Sequence, residues 1–598
     1  MDAARAPHQS RRRSVLGTAA WCLGLSLLAL GPAALTGFTL RADMVFVPRQ
    51  VMLPAWLGLG PALPRSVPQD AVVAILSTVV PGVVLQPAIL MLTLALAGAG
   101  AAWLLRGERW VVQALAAVAY VWTPYVAERL LLGNWGLLVA YAALPWALGL
   151  ARDVRAARRP WLVLVPVLAL AALTPTGGLL VAAVVVPVAV VGGRTRVRSR
   201  VLVVASAVLV NAPWIVPALL APTDLRPDAD GALVFALRPE GGWGPLLTAL
   251  GTGGIWNSLA VPGSRGTLLA PVGTVALLLL ALLGVPAVRR VLGRAALLSL
   301  ATASALGVLW CVLGAWVVTR SLVTWVVTTV PGGGLLRDAQ KLLLPWALLL
   351  AVAAALGAAR LAVAVARRVH EPALVPGLVV AAALAFVLLV PDLLLGGAGR
   401  LAPTAYPAGW TSVRQAVSEG PDGDVLLLPW STYRAYPWNA GTPVLDPASR
   451  FLDRTTVADD TLVVATSEGL VTVSGEDPRS ATVGAALQRG SIDAAHLRAW
   501  GISMVLVETD QPGTPVRLPT GLVEVPLPPD AAEADLRLLS TSGPAGPDPW
   551  AASALRTWAV IAVDLVTLLA VLASVAVLAV RTTRGPKLLH SRPLLTEE

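Results

Sequence analysis

Stretches of about 20 mainly apolar residues, each long enough to cross the hydrocarbon core of a bilayer, recur along the whole chain. They are read at 15–38, 80–105, 110–127, 135–151, 160–173, 177–193, 201–221, 267–288, 295–317, 342–366, 373–395 and 554–580. Nothing constrains the fold more. A backbone in lipid must satisfy its own amides, so spans of this length and pattern form helices. The 598 residues are 56% hydrophobic and only 13% charged, whereas soluble domains run at about 25% charged. An ordinary soluble enzyme is thereby excluded. The expected fold is a polytopic α-helical membrane protein of about twelve spans. The pair 160–173 and 177–193 also fits one long helix kinked at Pro175.

Sidedness follows from the arginines. They cluster on alternate loops: Arg106 and Arg109; Arg152, Arg155, Arg158 and Arg159; Arg194, Arg196, Arg198 and Arg200; Arg289, Arg290 and Arg294; Arg360, Arg367 and Arg368. Arg5, Arg11, Arg12 and Arg13 precede the first span, and Arg581, Arg584, Lys587 and Arg592 follow the last. With all the spans real, every cluster falls on one side, and the positive-inside bias makes that side and both termini cytoplasmic. Ser10-Arg-Arg-Arg-Ser-Val-Leu16 resembles a twin-arginine signal but reads more simply as the basic flank of the first span. These cations set topology and form no basic stripe with interleaved aromatics, so nucleic acid is excluded as a partner. Two cysteines, Cys22 and Cys311, both inside apolar runs, exclude a disulfide framework and a cysteine zinc site.

The chain therefore divides into a membrane core at 1–396 with a long first outer loop at 39–79, a domain at 397–552, and a last span with its tail at 553–598. In 397–552 the acidic residues outnumber the arginines, and the sided arginine clusters put this one soluble domain on the outer face. The apolar run in Gly423-Asp-Val-Leu-Leu-Leu-Pro-Trp430 and the run Ile502–Val507 read as buried strands. Ile492–Gly501 reads as a helix closed by its glycine, with His496 on its surface. A small outer α/β domain is expected.

Function is sought on the outer loops, since the inner ones are short and featureless. Asp43 follows the first span in Leu40-Arg-Ala-Asp43, with Arg41 beside it, Arg49 close by, and Asp70 as the next acid. A carboxylate at the membrane surface is placed to take a proton from an acceptor hydroxyl. Asp43 and Asp70 are also the candidate oxygen ligands for a divalent cation, Mg or Mn, although two Asp in a loop are a sparse set. Pro331-Gly-Gly-Gly-Leu-Leu-Arg-Asp-Ala-Gln-Lys341 supplies Arg337, Asp338 and Lys341 at the entry to a span, the pattern of an anion site. Glu128 and Arg129, with Asn134 in Gly133-Asn-Trp135, form a third outer element. Asp392 and Asp564 are acids at membrane depth, either paired or functional. Asn211-Ala-Pro-Trp-Ile-Val-Pro217 is expected to break its helix and to line a cavity, or only to kink it. No phosphate-binding loop with Lys-Ser/Thr occurs, so any energy comes from the substrate or a gradient.

Taken in order, these motifs resemble the GT-C superfamily of integral-membrane glycosyltransferases. Asp43 occupies the position of that family's catalytic carboxylate. Leu336-Arg-Asp-Ala-Gln-Lys341 is similar to a segment of the large cell-envelope arabinofuranosyltransferases. Glu128-Arg-Leu-Leu-Leu-Gly-Asn-Trp135, Leu144-Pro-Trp146 and Asn211-Ala-Pro-Trp214 resemble patterns in bacterial members of the group, and Gly423–Trp430 with Leu497-Arg-Ala-Trp-Gly501 resemble their outer α/β domain. The resemblance implies a multi-pass protein of a bacterial cytoplasmic membrane and a polyprenyl-phosphate-linked sugar donor. It also implies an envelope glycan or lipid acceptor, Asp43 as base (Asp70 the runner-up), and Arg337 and Lys341 on the donor phosphate. Arg41, Arg49, Glu128, Arg129, Asn134 and Asp338 are expected along the substrate groove. A transporter or lipid-carrier flippase, and a non-catalytic envelope scaffold, remain as alternatives.

Overall fold

The computed structural model describes residues 6–221, 228–466, 469–513 and 516–583, with backbone alone at 6–14 and 582–583. Arg5, Arg584, Lys587, Arg592 and the side chains of Arg11, Arg12 and Arg13 lie outside the described residues, which leaves Arg581 as the described side chain of the two terminal basic clusters.

Among the described residues, eight helices are long and apolar enough to cross a membrane: Val15–Ala34, Gly82–Leu104, Trp135–Arg155, Val197–Leu219, Leu269–Leu292, Arg294–Ala315, Ala339–Arg368 and Ala554–Arg581. Two bent pairs, Trp110–Val121 with Pro124–Leu131 (42°) and Leu374–Leu388 with Pro391–Ala398 (78°), raise the count to ten. The expected spans at 160–173 and 177–193 are helices, Trp161–Ala171 and Pro175–Val190, but both are shorter than a bilayer needs. The count by length and apolarity is thus eight to ten rather than about twelve.

Thr-Pro pairs explain two of the interruptions. Thr123 accepts a hydrogen bond from the Val126 amide, and Thr174 one from the Gly177 amide, each with proline at the next position. A capping hydroxyl followed by proline starts a new helix. The alternatives at 160–193 therefore resolve as two helices and not as one kinked at Pro175. The Asn211–Pro217 segment goes the other way. The helix Val197–Leu219 runs unbroken through Pro213 and Pro217. The Asn211 side chain stays inside it, donating to the Ala207 carbonyl at 2.8 Å and accepting from the Trp214 indole at 3.0 Å.

Close packing at the centre depends on small residues. A Cβ on Gly357 would stand 1.7 Å from the Leu280 carbonyl oxygen, and one on Gly284 would stand 1.9 Å from that of Ala353. The helices Leu269–Leu292 and Leu344–Arg368 meet there backbone to backbone.

The C-terminal α/β region contributes strands β1 (Asp424–Leu428), β2 (Tyr433–Arg434), β3 (Val444–Leu445), β4 (Thr456–Val457), β5 (Leu462–Thr466), β6 (Gly469–Val473), β7 (Ile502–Glu508), β8 (Val523–Glu524) and β9 (Leu536–Ser540). The main sheet runs β4-β1-β7-β9-β8, with β1 parallel to both β4 and β7. Both apolar runs read as strands are strands, and both are buried. The helix Ala494–Ala499 ends before Gly501 at φ 76°, and His496 is exposed against Asp493.

The first loop is woven into this region. Phe38 bridges to Thr404 and Ala42 to Val444, and Leu445 donates its amide to the Ala42 carbonyl at 2.8 Å. An aromatic seam of Phe38, Tyr406, Trp410, Tyr436, Trp438 and Phe451 fills the space beneath.

Candidate active site

Asp43 sits in a tight turn in which Met44 donates its amide to the Arg41 carbonyl at 2.8 Å, with Ala42 at φ 45°. The turn is pressed against the chain at 131–134, where the Asp43 amide donates to the Leu132 carbonyl at 3.1 Å. Contact this close requires glycine at position 133. Its φ is +82°, and a Cβ there would stand 2.2 Å from the Met44 nitrogen.

Two neutral donors hold the half-buried Asp43 carboxylate. The Tyr433 hydroxyl donates to Oδ1 at 2.7 Å, and Asn134 Nδ2 donates to Oδ2 at 3.0 Å. Burial, and then the Asp43 charge, push the Tyr433 hydroxyl well above its ordinary value, so it remains a donor at any physiological pH. The network continues inward. Arg129 donates to Asn134 Oδ1 at 2.8 Å and makes a two-pronged bridge to Asp338, both contacts 2.8 Å. Lys341 Nζ is 3.6 Å from Asp338 Oδ2, with 29% of its side chain exposed. Burial alone would raise the Asp338 carboxyl, but Arg129 and then Lys341 outweigh it and bring it down to about 2. Asp338 is therefore an anion wherever the protein is folded and active.

The structure thus joins Asp43, Asn134, Arg129, Asp338 and Lys341 in one network. Arg337 lies beside it but faces elsewhere. It donates to Glu476 at 2.7 Å, shares that carboxylate with Arg65 (2.9 Å), and stacks over Phe235.

Several expected groove residues prove to be buried. Asp70 is 2% exposed, and its carboxylate is bonded to Arg450 at 2.8 Å. An acid sealed against a guanidinium serves neither as base nor as partner of Asp43 on a cation. Glu128 and Arg129 are 0% exposed and so support the site from behind. Arg41 turns away from Asp43, donating to the Leu131 and Leu259 carbonyls at 3.1 and 2.9 Å beside Arg400. Burial, and then the Arg400 charge, lower the Arg41 guanidinium to about 10. Arg49 is exposed, and its carbonyl accepts from Arg414. Asp392 accepts from the Ser264 amide at 2.8 Å, whereas Asp564 Oδ2 has no hydrogen-bond partner among the described residues. The described residues hold no group of three or more His, Cys, Asp or Glu placed to share a metal.

The sequence reading missed Tyr433. Its hydroxyl meets a carboxylate 390 positions earlier in the chain, and no local pattern announces that.

No family model matches the sequence, and no curated protein matches it. Among solved structures, the chain is similar to the mycobacterial arabinofuranosyltransferase AftD, determined by cryo-EM, with a TM-score of 0.53 and 17% identity. The match covers 90% of this chain and 42% of the AftD chain. This chain therefore has a polytopic membrane fold like that of AftD and spans less than half of AftD's length.

Proposed function

We propose that this chain is a membrane glycosyltransferase of the GT-C type. It would move a sugar from a polyprenyl-phosphate donor to a cell-envelope glycan or lipid on the outer face of a bacterial cytoplasmic membrane. One observation carries the reading. Asp43 is half exposed, is held by neutral donors with no cation bonded to it, and belongs to the same network as the part-exposed Lys341. A carboxylate oriented but not neutralised keeps its capacity to take a proton, and a cation nearby suits a phosphate leaving group. In this mechanism the acceptor oxygen bonds to the anomeric carbon while its proton passes to Asp43. The bond from that carbon to the phosphate oxygen breaks, and the polyprenyl phosphate departs with the electron pair. Lys341, with Arg337 beside it, would meet the charge that develops. Attack opposite the leaving group inverts the anomeric centre.

The assay is transfer of labelled sugar from polyprenyl-phosphate donors by purified protein. Lys341→Ala should raise the donor KM about 10- to 100-fold, the value of one charge-assisted contact, and leave kcat closer to wild type. Tyr433→Phe should lower kcat about 5-fold, corresponding to roughly 1 kcal/mol for one neutral hydrogen bond. Unchanged kinetics in both variants would point to a scaffold or transporter instead.

Orientation is part of the same proposal: the α/β region outside, both termini inside, with the arginine clusters as its ground. Single cysteines at 489 and 158 test it. Arg489 is exposed, 74% of the Arg158 side chain is exposed, and native Cys22 and Cys311 are buried. An impermeant thiol reagent should label the first and miss the second in intact cells. The opposite result refutes the orientation.

A further inference from the structure

Behind the Asp43 network lies a second cluster, made of buried oxygens with too few donors. Glu128 Oε2 accepts from the Ile255 amide at 3.0 Å and from Gln340 Nε2 at 2.7 Å. Its Oε1 has no donor among the described residues, and the same holds for Gln340 Oε1 and Thr252 Oγ1. All three side chains belong to residues at most 1% exposed. The three residues are neighbours: the Gln340 amide nitrogen that donates to Glu128 also donates to the Thr252 carbonyl at 3.2 Å. Glu240 closes the group within hydrogen-bonding reach of Glu128. Its own oxygens accept from the Gly254 amide and from Arg265, each at 2.8 Å. The chain at 252–255 wraps tightly here, since a Cβ on Gly253 would stand 2.5 Å from both Glu240 oxygens.

Charge decides what suits this cluster. Two carboxylates face one guanidinium, and Arg265 pairs with Glu240 only. Elsewhere in the chain the same ratio is resolved differently: Asp446 and Glu508 both lie within 3.2 Å of Arg434, and Tyr436 donates to Glu508. Among the described residues no cation is bonded to Glu128, and Arg265 acts on it only at a distance. A buried carboxylate oxygen without charge or donor is strongly disfavoured. A neutral water would supply hydrogen bonds but not the missing charge. The available ligands are carboxylate, amide and hydroxyl oxygens, a hard set without nitrogen or sulfur, which suits calcium or magnesium. Two small cavities flank the cluster. Each is about 10 Å³, room for one water-sized occupant; one is lined by Thr252 and the other by Glu240 and Arg265.

We propose that Glu128, Glu240, Gln340 and Thr252 bind a hard divalent cation that staples the 240–265 loop to the segments 124–131 and 339–343. The ion is distinct from any at Asp43. Arg129 and Lys341 follow Glu128 and Gln340 directly in sequence, so the ion fixes the two segments that present them.

The test uses the full chain purified in detergent, stripped with chelator, and titrated with Ca²⁺ and separately with Mg²⁺ while thermal unfolding and bound metal are recorded. Wild type should show a saturable rise in Tm with one of these ions and retain one equivalent per chain. Glu128→Gln should abolish both, and Thr252→Val should shift the titration midpoint at least about 10-fold, the effect of 1.4 kcal/mol. If Glu128→Gln fails to fold, the Thr252→Val midpoint decides alone. No ion-dependent shift in wild type, or a shift that Thr252→Val leaves unchanged, overturns the site. A Glu128→Gln protein as stable as ion-free wild type, with no metal response in either, would show that the two glutamates share a proton instead.

Discussion

An Asp43→Asn protein is expected to transfer sugar at least about 10³-fold more slowly than wild type, within the range that a positioned general base contributes. The substitution removes one proton-accepting function and little else. Asp43 is half buried and bonded to neutral partners, so no buried counter-charge is stranded. Asn in its place still accepts from the Tyr433 hydroxyl. It loses the contact to Asn134, whose amide is oriented by Arg129, and stability should fall by only about 1 kcal/mol. The donor KM should stay near its wild-type value, because no step of donor binding is assigned to the carboxylate. Transfer in purified Asp43→Asn protein within about 10-fold of wild type, at an unchanged Tm, would remove Asp43 as the base.

The largest effect on stability is expected at Arg129→Met. Arg129 is completely buried, and both of its bridges to Asp338 are 2.8 Å. Removing it strands a buried carboxylate with only Lys341 at 3.6 Å for company. Breaking a buried pair in this way costs about 3–5 kcal/mol. The same pair sets an acid limit on wild type. The folded Asp338 carboxyl, brought down to about 2, titrates below the ordinary aspartate value of about 3.9. A depressed carboxyl stabilises the fold fully above its unfolded value, and that contribution is lost as pH falls through the folded one. The loss should therefore fall between about pH 4 and pH 2 and amount to about 2–3 kcal/mol. Arg129→Met should show a much smaller loss in that window. Thermal unfolding of both proteins across the window measures it.

Much of the architecture could be read from local pattern. The apolar runs are helical, because run length and the demand for internal backbone bonding leave no alternative in lipid. Two of them, at 110–127 and 373–395, are bent pairs, and the two around Thr174-Pro175 are too short to span, with a capping threonine and a proline announcing a new helix start. The strands at Asp424–Leu428 and Ile502–Glu508 were legible for the same reason, as apolar runs beside glycine. Proline misled at 213 and 217, where a neighbouring asparagine stays within its own helix and the chain carries on.

The site was legible only as far as sidedness carries. Asp43 and Lys341 were expected together because one follows a span and the other enters one at the same surface. Their link through Asn134, Arg129 and Asp338 is a tertiary fact. Gly133 stands out in no local pattern, yet its missing side chain is what admits the first loop. Glu128 and Arg129 are neighbours in sequence with opposite neutralisation. Arg129 finds Asp338 209 positions away, while Glu128 meets an amide and a second acid. Partners at such separations leave no periodicity for a reader of sequence to find.

The interleaving of residues 38–46 with 404, 433 and 443–445 also governs when the surroundings of Asp43 are completed. Asp43 leaves the ribosome early, and Tyr433 follows 390 residues later. At about 5–20 residues per second, the interval is roughly 20–80 s. Throughout it the turn that carries Asp43 lacks its strand neighbour Val444, its hydroxyl donor and its aromatic floor. A chain interrupted between residues 135 and 404 keeps the Asn134 and Leu132 contacts to Asp43 but lacks Tyr433 and the strand beside the turn. On the proposed mechanism, copies that end before Tyr433 lack the complete Asp43 cradle, and the segment 433–445 is what closes it.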